Sequence, residues 1–490
     1  MSTLLRDVRL VGRDGTPTDV LVEDGLIAAI ATGIAPGSAE IVDAGGRWLA
    51  PGLWDNHVHM DQWALVRQRL DVADAASARE VADIVEARIR LRLPGDQDLL
   101  VAFGFRDALW PDEPTLAVLD KAGDGVPVAV VSADLHAVWL NSRALALVGH
   151  SGHSTGLLRE QPAFDASAII TAVDDEHMDL CVADAARAAA ARGVVGIVDL
   201  EMTLGLDRWV RRVRSGTDQL RVRVGVYPDR LNDVIAMGLH TGDAIEGGAG
   251  LITMGPFKII TDGSLGTRTA YCHEPYPGLE GQPHANGISV FDVATLTEYL
   301  ARASGAGLVP AVHAIGDHAL EDALTAFEGA GCQGSIEHAQ LITPASLPRF
   351  AELGLIASVQ PEHAMDDRDI ADHYWAGRTD RAFALESLHG AGIPLRLGSD
   401  APVAPLDPWI AMAAAISRSR DGREPWHPEQ RVLASVALAA STGGRLAVDE
   451  GDPADLILVD SDPLVATIDD LRRFPVAATM LAGRWTHFAL

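Results

Sequence analysis

The residues with the most chemistry to offer are Asp55-Asn56-His57-Val58-His59, at the end of an apolar run. On an extended segment, side chains at i and i+2 point to the same side, so His57 and His59 can hold one divalent ion. Two hydrogen-bonded core histidines would have the same spacing, and the pair alone does not separate these readings. Further on, His313 in VHAIGD, His338 in IEHAQLI and Asp400 in LGSDAPV also close short apolar runs. Nitrogen and oxygen donors of this kind suit zinc and related first-row metals. Lys258 interrupts the apolar stretch of GPFKIITDG, where a charged lysine is costly to bury. Either its ammonium snorkels to water, or the neutral amine reacts with CO2 to give a carbamate, an anion able to bridge two metal ions.

These residues gain force from the elements that must carry them. Eight strand candidates follow one another: LAPGLWDNHVH, GVVGIVDLE, RVRVGVY, GPFKIITDG, GLVPAVHAIGD, GSIEHAQLI, GLIASVQPEH and IPLRLGSDAPV. Helical stretches such as DVATLTEYLARASGAG and HALEDALTAFEGAG lie between most of them. Alternating β and α units imply a parallel sheet, and eight of them a closed (β/α)8 TIM-type barrel. Strand C-termini converge on one mouth of such a barrel. His57 and His59 on the first strand, Lys258 on the fourth, His313 on the fifth, His338 on the sixth and Asp400 on the eighth would therefore meet. Residues 1–50 and 446–490 read as short strands and turns, which predicts a small β-sandwich-like domain built from both termini. The barrel then spans 51–445. A helix (ASAREVADIVEARIRLRL) and two extra strands (LLVAFGFRD, VPVAVVSADLH) predict an insertion over its mouth at about 60–180.

The chain has 490 residues, 48% hydrophobic and 22% charged, with a net charge of −29. Phosphate neutralisation needs a basic footprint, so nucleic-acid binding is not expected. No window approaches 18 uncharged apolar residues, so neither is a membrane span. Three well-separated cysteines, Cys181, Cys272 and Cys332, argue against a disulfide framework and fit a reducing cytoplasm. The N-terminus alternates polar and apolar residues, unlike a signal peptide.

Taken in order, these motifs resemble the amidohydrolase superfamily, and within it the amidohydrolase family 3 branch that contains N-substituted formamide deformylases. VDAGGRWLAPGLWDNHVH is similar to that family's entry into the barrel, and VSADLHAVWLNSRAL and FKIITDGSLGTRTA resemble stretches of this branch. The resemblance covers essentially the whole chain. It implies that His57, His59 and Asp400 hold a buried metal, that His313 and His338 hold a second, and that a carboxylated Lys258 bridges both together with a hydroxide. The ions expected are two zinc, with manganese, iron or cobalt as alternatives. A homodimer is expected from family habit. Deaminases of the superfamily carry Glu three residues after the fifth-strand His; here that residue is Gly316. D-aminoacylases use a cysteine ligand, and no strand end here offers one.

Such a site cleaves a non-peptide C–N bond, an amide or an N-formyl or N-acyl amine, by attack of a metal-bound hydroxide. Asp400 is the expected general base and acid. A lactone, ester or carbamate could be cleaved by the same groups, and a silent barrel acting as a binding protein is a third reading. Around the site, His136 could hydrogen-bond a substrate oxygen or pack on Trp139. Arg268 could bind a substrate carboxylate or form a structural ion pair. Trp54, Trp110 and Tyr271 could line an apolar pocket or simply pack. Asp317 and His318 are expected to support a ligand or cap a helix.

Overall fold

The computed structural model describes residues 2–92, 98–170 and 172–490. Eight parallel strands form its centre: β1 Leu53–Val58, β2 Val194–Asp199, β3 Arg221–Val226, β4 Ile252–Ile260, β5 Pro310–Ala314, β6 Ser335–His338, β7 Ile356–Val359 and β8 Leu395–Leu397. They pair in sequence order. The first and last strands close the ring beyond their ends, through a parallel bridge between Val58 and Ala401. His59 N donates to Ala401 O at 2.8 Å and Asp400 N to His57 O at 2.8 Å. Closure of the barrel is thus what brings Asp400 beside His57 and His59. β2, VVGIVD, is buried along its whole length, as expected for a parallel strand covered on both faces.

The helices pack outside. The one at Asp317–Ala330 buries Leu320, Ala323, Leu324 and Phe327, spaced along one face. The one at Val293–Gly305 starts at Asp292, whose carboxylate accepts from Thr295 N, and buries Leu296, Leu300 and Ala303. All eight strands expected from the sequence are present.

The termini form one eight-stranded sheet, in which Trp48–Pro51 pairs with Ser2–Leu10 on one side and Leu456–Val459 on the other. It curls enough for the turn at Asp24-Gly25 to meet Ala482-Gly483, and encloses a core of Leu5, Val20, Val22, Leu456 and Met480. The expected sandwich-like unit is therefore a single hydrogen-bonded sheet folded on itself, with Glu40–Asp43 as a side branch on Ser2–Leu10.

The insertion is a small α/β layer of its own. Its five-stranded sheet runs Leu157–Arg159, Ala137–Leu140, Val128–Ser132, Leu100–Phe105, Leu70–Asp71. The expected helix forms at Ala78–Arg90, its Ser77 cap accepting from Glu80 N; the last residue of the sequence stretch, Leu93, lies outside the described residues. Among the described residues, no helix is long and apolar enough to cross a membrane.

Candidate metal centre

A cavity of about 660 Å³ opens at the C-terminal mouth of the barrel, roofed by the insertion. His57, His59, Lys258, His313, His338 and Asp400 all line its floor. Asp400 Oδ1 lies 3.2 Å from His59 Nε2 and 3.4 Å from His57 Nε2. Its Oδ2 lies 4.0 Å from His338 Nδ1. Lys258 Nζ is 3.4 Å from His57 Nε2. The His338 ring centroid is 4.9 Å from that of His57 and 4.5 Å from that of His313. The tightest set of donors joins His57 and Asp400 with His338, all within 4.8 Å of one another.

The donor set fits a cation. Among the described residues, buried ring nitrogens of His313 (Nε2), His338 (Nδ1) and His363 (Nε2) have no hydrogen-bond partner. His313 Nε2 is 3.2 Å from Asp262 Oδ1 without hydrogen-bond geometry. The Asp262 carboxylate is instead taken up by the backbone amides of Tyr271, Ile315 and Gly316. An unpaired buried polar group costs about 1–3 kcal/mol. Three in one cavity approach the net stability of a whole domain, roughly 5–15 kcal/mol, and a metal ion is an acceptor that such a cluster could hold.

Charge around the centre is set by burial. Burial and the Lys258 charge push the His57 ring down to about 4. Burial lowers the Lys258 amine to about 8, against the pull of Glu337 and Asp400, so a fraction is neutral at working pH, as carbamate formation requires. Burial alone would raise the Asp400 carboxyl, but the surrounding histidines hold it well below its usual range. Both His338 and Asp400 occupy the left-handed backbone region, with φ of 72° and 57°, a strained conformation for residues with side chains. The close approach of β8 to β1 needs Gly398: a Cβ there would lie 2.8 Å from His57 N.

Three groups were not singled out from sequence. Glu337 Oε2 pairs with His57 Nδ1 at 2.8 Å. Asp55 accepts from the amides of His57 and Ser399 at 3.2 and 2.9 Å, tying the first strand to the last. His363, on the helix Pro361–Tyr374, puts Nε2 3.9 Å from Asp400 Oδ2. Its signal was the His of GLIASVQPEH, just beyond a strand end.

The outer residues divide. His136 lines the cavity, hydrogen-bonded through Nδ1 to Glu160 at 3.0 Å and edge-on to Phe164. Burial would lower its ring, but Glu160 and Asp134 raise it above its ordinary value. The other candidates do not line the cavity. Arg268, with a positive φ of 60°, lies over the Tyr374 ring at 5.6 Å. Trp110 packs against Phe105, and Tyr271 stacks on His318 at 4.2 Å. Trp54 sits under Arg223, in space that Gly196 leaves free. Asp317 takes an ion pair from Arg381 and the amide of His273, a structural role.

The amidohydrolase family matches residues 40–487 of the chain. YtcJ of Bacillus subtilis is 26% identical over 515 residues, covering 95% of each protein. N-substituted formamide deformylase of Arthrobacter pascens is 25% identical over 556 residues, covering 98% of each. Among solved structures, a metal-dependent hydrolase of Pyrococcus horikoshii superposes with a TM-score of 0.78 at 24% identity. It covers 96% of this chain and 99% of its own, and shows the same fold.

Proposed function

The chain belongs to the amidohydrolase family, and from that premise we propose that it hydrolyses a non-peptide C–N bond, an amide or N-formyl or N-acyl amine, in a small organic molecule. The observation that carries this reading is the approach to the Asp400 carboxylate of two buried ring nitrogens, His338 Nδ1 and His363 Nε2, that have no hydrogen-bond partner among the described residues. His57, His59, Lys258, His313, His338 and Asp400 would hold divalent ions, for which zinc suits the donors and manganese, iron or cobalt are alternatives. When bound, such ions acidify water and polarise a carbonyl.

The chain's own groups do the rest. Asp400, ionised in its ring of histidines, takes a proton from the attacking water as the new C–O bond forms. It passes that proton to the leaving nitrogen as the C–N bond breaks, giving a carboxylic acid and an amine. Glu160 and Asp134 favour the doubly protonated His136 ring, and in that form, with Nδ1 on Glu160, its other ring nitrogen is the donor for the carbonyl oxygen. Deamination is disfavoured by more than a missing residue. A Cβ on Gly316 would lie 2.0 Å from the Tyr271 carbonyl oxygen, so this backbone leaves no room for a glutamate.

The relation to a formamide deformylase makes N-formyl amines the first substrates to assay. Metal content should be measured with activity on N-formyl and N-acyl amines, before and after chelation. Stoichiometric metal and metal-dependent release of amine are expected; activity unchanged after complete metal removal would sink the reading. Matched lactones, esters and carbamates in the same assay test the alternative bond types.

A further inference from the structure

One wall of the cavity is a ruler. His59, Gln62, Leu65, Val66 and Arg69 line it in succession, along the helix Met60–Val66 and its continuation by Gln68 N to Leu65 O and Arg69 N to Val66 O. At about 1.5 Å per residue, Arg69 lies on the order of 15 Å along this wall from His59. Leu65 and Val66 lie between them on this wall, and Phe164, Met202 and Val403 add apolar lining to the same cavity.

Arg69 differs from the other charges of the cavity. Arg106 is paired with Asp366, Glu201 with Gln62, Glu160 with His136, and Asp134 with Ser132 and Ser264. Asp367 has no such partner among the described residues, but burial raises its carboxyl to about 7, so it can shed its charge. Arg69 is half-buried, and its guanidinium has no hydrogen bond or ion pair among the described residues. Burial lowers it to about 10 with no carboxylate opposing the shift, which leaves it charged at working pH. A partly buried guanidinium that stays charged and faces the cavity without a partner among the described residues is open to an anion from outside.

We propose that Arg69 recognises a carboxylate on the substrate, at the far end of the cavity from the metal centre, so that the molecule cleaved is an amide with an apolar body and an acidic tail. This rests on the hydrolase reading of the cavity. With Arg106 held by Asp366, a single guanidinium is left to pair in a lining that also carries carboxylates; this favours a singly charged carboxylate over a phosphate dianion, and the planar fork suits bidentate pairing.

The test compares N-formyl ω-aminohexanoate with its methyl ester on the metal-loaded protein. The acid should be preferred in kcat/KM by on the order of 10- to 100-fold, mainly through KM, the range expected of a charge-assisted pair. Arg69→Gln should bring the ratio toward one and Arg69→Lys should keep part of it. A wild-type preference for the ester, or a ratio unmoved in Arg69→Gln, overturns the proposal while leaving the hydrolase reading intact. Calorimetric titration with the N-acetyl ω-amino acid separates the two ideas. Arg69-dependent binding without turnover of any amide removes the hydrolase reading and keeps the carboxylate site; neither binding nor turnover removes both.

Discussion

Nδ1 of His57 lies 2.8 Å from Oε2 of Glu337, with both side chains at least 96% buried. Burial would raise the Glu337 carboxyl, but the His57 hydrogen bond, the Lys258 charge and the Ser335 hydroxyl outweigh it and hold it at about 2. An ionised carboxylate only accepts, so Nδ1 carries the proton and the Nε2 lone pair faces Lys258 and Asp400. Glu337 thereby fixes the tautomer and the aim of His57. Glu337→Gln and Glu337→Ala should each weaken metal affinity by about 10- to 100-fold. Activity at limiting metal should fall and partly return with excess metal. Unchanged affinity in a metal titration would show that His57 needs no such support.

Lys258 gives a second prediction. If its carbamate helps to hold the ions, Lys258→Ala should lose metal and activity together. Short carboxylic acids such as formate or acetate, able to fill the vacated space, should partly restore both. Reconstitution of the wild type should depend on bicarbonate. Full activity with bound metal in Lys258→Ala would show that the side chain is no bridge.

Much of this site was legible because strand ends in a closed barrel share one mouth, so the order of His57, Lys258, His313 and Asp400 implied their meeting. His338 reaches the cluster by a route the alternation rule does not contain. Ser335 Oγ hydrogen-bonds Glu337, so residues 335 and 337 share the inner face, and alternation would turn His338 outward. Its left-handed backbone, φ 72°, brings the ring back in. Arg268 also has a positive φ, and its guanidinium lies over Tyr374 and outside the cavity lining. Tyr271, Trp54 and Trp110 were aromatic residues near the mouth in sequence, but their partners, His318, Arg223 and Phe105, come from tertiary packing. The direction of Arg69 follows from the face of one short helix, and depended on knowing which face met the cavity.

Gly316 predicts a purely steric defect. Its Cβ position is 2.0 Å from the Tyr271 oxygen and 2.4 Å from the carbonyl carbon, and that carbonyl also accepts the amides of His318 and Ala319. Gly316→Ala must displace backbone beside His313, at a cost of about 1–3 kcal/mol typical of overpacking. A lower melting temperature and weaker metal retention are expected together. A variant as stable as the wild type would mean that the 263–290 segment yields freely there.

The last prediction concerns pH. Burial raises Asp367 to about 7, against the pull of Arg106, whereas an unfolded aspartate titrates at about 3.9. Between these values the native state keeps a proton that the unfolded state has lost. Stability from this group is therefore fully present below about pH 4 and is lost as pH rises through about 7. Asp367→Asn has nothing to ionise there, so it escapes the loss. The melting temperature of the variant relative to the wild type should climb from pH 4 to pH 7 and level off above. Thermal melts of both metal-loaded proteins across that range measure the difference directly. Parallel curves would mean that Asp367 ionises in the fold at its ordinary value. The cavity would then hold a fixed negative charge as well as the fixed positive charge of Arg69, and a cationic group on the substrate would have a partner there too.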